Sequence, residues 1–240
     1  MATKGTVIVT GGSQGIGAAI VKSFLDRGYA VVATSRNASK ASFPSSENLV
    51  LVDGDISKAA TAEEVARTAI SRFGSIDHVV ANAGIFMAKP FTEFTAEDFQ
   101  ALVSTNLEGF LYITQLAVKQ MLSQGKGGSV TSITTSLVAH PNSSVPASVS
   151  MITKGGLTAA IINLASEYAK NHIRFNAVAP GIVDTPMHKD NPKDFLKTLS
   201  PMGTISSSED IAEAVLYLAE ARNVTGEVLH VDGGAHVGKW

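Results

Sequence analysis

Thr10-Gly11-Gly12-Ser13-Gln14-Gly15-Ile16-Gly17 follows directly on Thr6-Val7-Ile8-Val9, a β-branched run typical of parallel strands buried on both faces. Beyond it, Ile16, Ile20, Val21, Phe24 and Leu25 fall at the spacing of one apolar helical stripe. The octet is therefore read as a strand-to-helix turn. Gly11, Gly15 and Gly17 leave backbone amides open to close approach by a ligand. The helix start adds unpaired N–H groups and the positive end of the helix dipole, which together suit a pyrophosphate. A glycine turn also serves as a plain tight connection, so its meaning depends on the rest of the chain.

Outward from the turn, strand-like and helix-like stretches alternate to the end. The sequence predicts further strands at 29–34, 49–52, 76–81, 129–133, 173–178 and 227–231. Helical patterns fill 95–103, 106–123, 149–170 and 208–220, and one follows the capping-box pattern Thr61 to Glu64. A second such box is read at Ser206 to Glu209. Alternation of this kind implies right-handed crossovers and an α/β fold: a doubly wound, seven-stranded parallel sheet with helices on both faces. No repeat or linker interrupts it, so residues 1–240 read as one domain. The stretches 106–123 and 149–170 are apolar around most of their circumference, which predicts a homo-oligomer, a dimer or tetramer.

Composition narrows the function classes. Hydrophobic residues make up 45% and charged residues 17%, an ordinary globular balance. The net charge of -2, with no basic block, offers nothing to nucleic acid or an anionic membrane surface. Absence of cysteine excludes disulfides, thiolate chemistry and cysteine metal sites, and no metal site is expected. No stretch is long and apolar enough to span a bilayer, and residues 1–5 lead straight into the first strand. A cytoplasmic location is the expectation.

Taken in order, these motifs resemble the short-chain dehydrogenase/reductase family over the whole chain. Residues 10–17 resemble its Thr-Gly-x3-Gly-x-Gly cofactor turn, where the resemblance gives contacts to Gly11, Ser13, Gln14, Gly15, Ile16 and Gly17. Asp55-Ile56 is similar to its adenine-contacting pair, and Asn82-Ala83-Gly84 to the motif that steadies the central sheet and lines the cofactor cleft. Asn106 matches an asparagine of the family's proton relay, and Lys154 its active-site lysine, which also holds the nicotinamide ribose. Pro180, Gly181, Ile182 and Thr185 resemble the segment cradling the nicotinamide, and Val231-Asp232-Gly233-Gly234 the closing strand and turn. The resemblance implies a Rossmann-like fold and hydride transfer between a nicotinamide cofactor and a small-molecule substrate.

The second strand ends in Thr34-Ser35-Arg36-Asn37, with no acid to pair with a ribose 2′-hydroxyl. Arg36 can fork onto a 2′-phosphate and Ser35 can add a hydroxyl, so NADP(H) is expected over NAD(H). Gln14, where some NADP-preferring relatives carry a basic residue, speaks slightly the other way.

One departure bears on the chemistry. In the family a tyrosine four residues before the lysine handles the proton, and here that position is Ser150. An alkyl hydroxyl is a far weaker acid than a phenol, whose unperturbed pKa is about 10. The serine that usually stabilises the substrate oxygen lies thirteen residues before the tyrosine, and that position is Leu137. Ser136 is the expected replacement, with Thr135 as the other available hydroxyl. Asn106, Ser136, Ser150 and Lys154 are thus the expected catalytic set, with His140 in the following loop as a further proton source. Three readings follow: an oxidoreductase with an atypical proton donor, a cofactor-binding sensor or scaffold without turnover, and a Ser150–Lys154 pair for acyl transfer. The last has no matching oxyanion hole. Phe86, Met87, the loop 137–149 and the segment 187–199 are expected to shape the substrate pocket, and the tail 235–240, ending in Trp240, to close a site.

Overall fold

In the computed structural model, which describes residues 3–238, Thr6–Thr10 forms β1, the third strand across a seven-stranded sheet. The other strands are β2 (Ala30–Ser35), β3 (Leu49–Asp53), β4 (His78–Ala81), β5 (Gly128–Ile133), β6 (Ile173–Pro180) and β7 (Val228–Val231). Their order is β3-β2-β1-β4-β5-β6-β7, and every pairing is parallel. The expected doubly wound fold is the observed one. Order reverses between β1 and β4, so a crevice opens at their carboxyl ends, where such folds bind ligands.

Two apolar clusters clothe the sheet. On one face α1 (Gly15–Asp26) and α7 (Ser208–Glu220) bury Ile20, Phe24, Ile211 and Leu218 against Val7, Val9 and Val31. On the other, α2 (Ala59–Phe73), α4 (Gly109–Gln124) and α5 (Ser148–Glu167) bury Val65, Ile113 and Ile161 against Ile8, Val79 and Phe175. Burial on both faces is why the central strands are unbroken β-branched runs.

Helix boundaries differ from the sequence reading in three places, each for a local reason. α2 begins three residues early, with Lys58 rather than Thr61 at its N-cap, so Thr61 lies inside the helix. A Cβ on Gly54 would come within 2.5 Å of the Thr61 methyl, so that side chain packs where capping was expected. The box on α7 is Ser207 with Asp210, one residue later, because Ser206 is bound in a bridge to Val183. A box not foreseen, Thr95 with Asp98, starts α3 (Ala96–Leu102). Between α3 and α4 the segment Val103–Glu108 is a π-helical turn, an extra-residue bulge that frequently marks functional positions. A short α6 (Lys193–Lys197) precedes α7 and covers the crevice. Among the described residues no helix is long and apolar enough to cross a membrane. Trp240, the end of the expected closing tail, lies outside the described residues.

Candidate active site

The crevice is a cleft of about 1510 Å³. Its floor is the glycine turn. A Cβ on Gly17 would sit 2.1 Å from the Gly11 carbonyl oxygen, so only glycine lets α1 start this close to β1. Gln14, at the N-cap of α1, is extended and makes no side-chain cap, and the first turn of α1 carries no acidic residue. The amides and dipole of that helix end therefore face the cleft, where an anion would meet them.

The turn is fastened to β4 by reciprocal bonds. Thr10 Oγ1 accepts the N–H groups of Asn82 and Ala83 at 3.1 and 3.0 Å. Asn82 Nδ2 donates to the carbonyls of Thr10 and Gly11 at 3.0 and 3.1 Å. The expected steadying role of Asn82 thus has a concrete form: it holds the two strand ends that flank the switch point.

At the end of β2, Thr34 and Ser35 line the cleft with hydroxyls that are buried and lack a hydrogen-bond partner among the described residues. Thr114, Thr131 and Ser132, away from the cleft, also lack a partner among those residues, so it is the place of Thr34 and Ser35 in the cleft wall that suits them to a polar ligand. Arg36 and Lys40 line the same end. Lys40 was not singled out from the sequence; its position four residues after Arg36 in a polar loop was the available signal. Asp53, opposite Ser35 in the sheet register, is spent on Ser39, accepting from its N–H at 2.8 Å and its hydroxyl at 2.6 Å. These bonds hold the Asp53 carboxyl below its ordinary pKa. Asp55 and Ile56 line the cleft as expected. Burial works against the Asp55 carboxylate, but Ser57 and the charges of Lys58 and Arg36 outweigh it and keep its pKa low.

At the other end, Pro180, Gly181, Ile182 and Thr185 line the cleft after β6. Gly181 lies against Asp232, and Thr185 against Gly15, so this segment faces the glycine turn across the crevice.

The expected catalytic residues divide into those that meet and one that is engaged elsewhere. The π-helical turn places Asn106, 1% exposed, with its Oδ1 accepting the Ile85 N–H at 2.9 Å. Its Nδ2 donates to the Ile85 carbonyl and to Thr153 Oγ1, both at 3.0 Å. Lys154 reaches the same place: a Cβ on Gly84 would lie 3.1 Å from both Asn106 Oδ1 and Lys154 Nζ. Lys154 Nζ donates to the Ile133 carbonyl at 2.8 Å and has no carboxylate beside it. Burial pushes its pKa down to about 8. Ser136 is buried in the cleft wall, whereas Thr135 turns its Oγ1 back to accept the Leu137 N–H at 3.3 Å. Ser150 is 0% exposed, and its hydroxyl donates to the Met87 carbonyl at 2.8 Å and accepts the Met87 N–H at 3.0 Å. It fastens the wall that carries Phe86 into the cleft, while Met87 itself is absent from the lining. Neither Thr153 nor the Met87 backbone was legible as part of the site, because both enter through tertiary hydrogen bonds. His140, Phe195 and Leu199 line the cleft as the sequence led one to expect. Among the described residues no group of three or more His, Asp or Glu side chains is arranged to hold a metal ion.

This arrangement, a nucleotide-sized cleft with a phosphate turn at one end and a buried lysine–asparagine pair at the other, has close counterparts. A model of the family described as Enoyl-(Acyl carrier protein) reductase matches residues 11–236. Carbonyl reductase family member 4 from Xenopus laevis is 36% identical over 94% of this chain and 95% of its own length. The crystal structure of 3-ketoacyl-(acyl-carrier-protein) reductase from Brucella melitensis complexed with NADH superposes with a TM-score of 0.91 at 26% identity, covering 98% of this chain and 100% of that one. A structure described as ElxO with NADP bound gives 0.87 at 27% identity, covering 99% and 100%. With its sheet order, glycine turn and these likenesses together, the chain belongs to the short-chain dehydrogenase/reductase family of oxidoreductases.

Proposed function

We propose that the protein is an NADP(H)-dependent oxidoreductase acting on a small carbonyl or alcohol, with imines and activated alkenes in the same range, and that its proton donor is not the residue four before the lysine. The observation that carries the cofactor assignment is the end of β2. Two unpaired buried hydroxyls, Thr34 and Ser35, stand beside Arg36 and Lys40, and the nearest carboxylate in register, Asp53, is bound to Ser39. That donor set fits a ribose 2′-phosphate: Arg36 gives a planar fork, Lys40 a point charge and Ser35 a hydroxyl. The glycine turn and the α1 N-terminus fit the pyrophosphate.

When bound, the nicotinamide supplies the hydride. The chain's own residues hold and orient. Thr185 and the segment 180–182 face the glycine turn and would hold the nicotinamide between them. Lys154, whose pKa burial brings to about 8, can exchange a proton readily and would donate to the ribose. Asn106 holds segment 84–85 and, through Thr153, the first turns of α5. Ser136 offers a hydroxyl to the substrate oxygen. Ser150 keeps the Phe86 wall in place instead of passing a proton.

Exposed apolar residues on α4 and α5, Leu111 at 46%, Ile152 at 54% and Ile162 at 49%, support the homo-oligomer expectation. Light scattering of Leu111→Glu with Ile162→Glu checks it, and an unchanged mass would remove it.

The functional test is NADPH consumption against a carbonyl panel, with cofactor binding followed separately by fluorescence and thermal shift. Turnover with a preference for NADPH supports the reading. NADPH binding with background rates throughout would leave the sensor or scaffold reading, which the commitment of Ser150 to Met87 favours.

A further inference from the structure

Three histidines and one carboxylate gather at the rim of the cleft. His236 lies in the 3-10 turn Ala235–Val237, which packs on the 3-10 turn Ser136–Val138. Its Nδ1 lies 3.0 and 3.1 Å from the two oxygens of Asp232. Asp232 is 5% exposed and also accepts the N–H groups of Gly234 at 3.0 Å and His236 at 2.8 Å. A carboxylate so placed accepts from His236 Nδ1, which leaves Nε2 as the nitrogen free to pass a proton. The His230 ring stacks on His236 at 4.1 Å and 20°, and the His140 ring meets His236 edge-on at 6.1 Å and 66°. His140 lines the cleft, and its N–H donates to the Ser136 carbonyl at 3.1 Å.

We propose that His140 delivers the proton to the substrate oxygen, and that His236, oriented by Asp232 behind it, replaces the proton it gives. The inference rests on the oxidoreductase reading and names the donor that reading leaves open. It follows from position: Ser150 is bound to Met87, and His140 is the cleft-lining imidazole tied directly to the Ser136 turn. The balance is simple. Hydride addition at the carbonyl carbon sends the C=O π pair to oxygen, one proton leaves the His140 imidazolium for that oxygen, and one returns from solvent by way of His236. The charged groups facing the cluster are Asp232 and, at His230, Glu227. Burial and the neighbouring His236 push the His230 pKa down, so His230 serves as a neutral stacking partner.

The test has two arms. In the first, kcat and KM are measured from pH 5.5 to 9 with NADPH and the probe carbonyls 4-nitrobenzaldehyde, ethyl acetoacetate and 9,10-phenanthrenequinone. His140→Gln should lower kcat about 100-fold, within the range of general acid catalysis, with KM and the NADPH Kd little changed. The alkaline fall that the Lys154 pKa of about 8 brings should remain in it. His236→Gln should lower kcat by a smaller factor, as should Asp232→Asn. In the second arm, the solvent deuterium isotope effect on kcat follows the proton itself, and it should rise in His236→Gln, whose backbone cap on Asp232 is retained. Turnover in which His140→Gln keeps its rate overturns the relay alone, as does a solvent isotope effect indifferent to His236→Gln. A wild type that binds NADPH and reduces none of the probes overturns the oxidoreductase reading, and the relay with it.

Discussion

Ser150 and Met87, 63 residues apart, exchange two hydrogen bonds, hydroxyl to carbonyl at 2.8 Å and amide to hydroxyl at 3.0 Å. One short side chain thus satisfies a donor and an acceptor of the segment after β4. Ser150, four residues before Lys154, is a clasp between α5 and the cleft wall.

The clasp predicts the behaviour of two variants. Ser150→Ala leaves the Met87 N–H and C=O without their partner, at about 1–3 kcal/mol for a buried polar group left unpaired. Its melting temperature should fall and KM should rise more than kcat falls. Ser150→Tyr forces a ring into a site of 0% exposure, so it should unfold earlier and gain no turnover. Thermal scans paired with NADPH oxidation decide both. A faster, equally stable Ser150→Tyr would show that proton supply alone had been limiting.

Arg36 should discriminate between the two nicotinamide nucleotides. Loss of a charged hydrogen bond is worth roughly 1.5–3 kcal/mol, so Arg36→Ala should weaken NADPH about ten- to a hundredfold. NADH, lacking the 2′-phosphate, should bind it nearly as it binds wild type. Fluorescence titrations with both nucleotides measure the ratio, and equal losses would remove the 2′-phosphate assignment.

Lys154 is held charged at neutral pH against its burial. The fall from 10.5 to about 8 corresponds to roughly 2–4 kcal/mol of destabilisation below pH 8. The folded pKa lies below the unfolded one, so the unfolded chain binds more protons between pH 8 and 10.5, and this contribution to stability rises across that window. Lys154→Met should lose the rise, melt no lower than wild type at pH 7 without ligand, because the buried charge it removes outweighs the lost bond to the Ile133 carbonyl, and lose turnover. Melting curves at pH 7, 8 and 9.5 for both proteins give the answer.

His78, on β4, packs edge-on to Tyr29 at 5.4 Å between ring centroids and places Nδ1 2.7 Å from Ser129 Oγ. Burial pushes its pKa down to about 4, with Asp77 opposing and Arg174 and Lys126 assisting. The unfolded value is 6.5, so the contribution is complete above pH 6.5 and is lost as pH falls toward 4. Wild type should therefore lose more melting temperature between pH 7 and 4.5 than His78→Gln, which keeps a partner for Ser129. Parallel slopes in the two proteins would refute this assignment.

The sequence by itself determined the sheet. Thr6 to Val9 and Ala30 to Thr34 are β-branched residues and alanine without polar alternation, and that pattern is stable only where helices cover both faces. It also determined the glycine turn, because close approach at Gly17 needs an absent Cβ, and the absence of an acid after β2. Local spacing encodes such features directly. What only the tertiary structure decided is which polar groups are already taken. Ser150 and Met87, Asp53 and Ser39, Asn106 and Thr153, and His236 beside His140 meet across distances the chain order does not record. A side chain's chemistry depends on whether its hydrogen-bonding capacity is spent inside the fold or left facing the cleft, and that is settled by packing. The π-helical turn that aims Asn106 inward and the shifted helix caps belong to the same class, since neighbouring elements, rather than local propensity, select them.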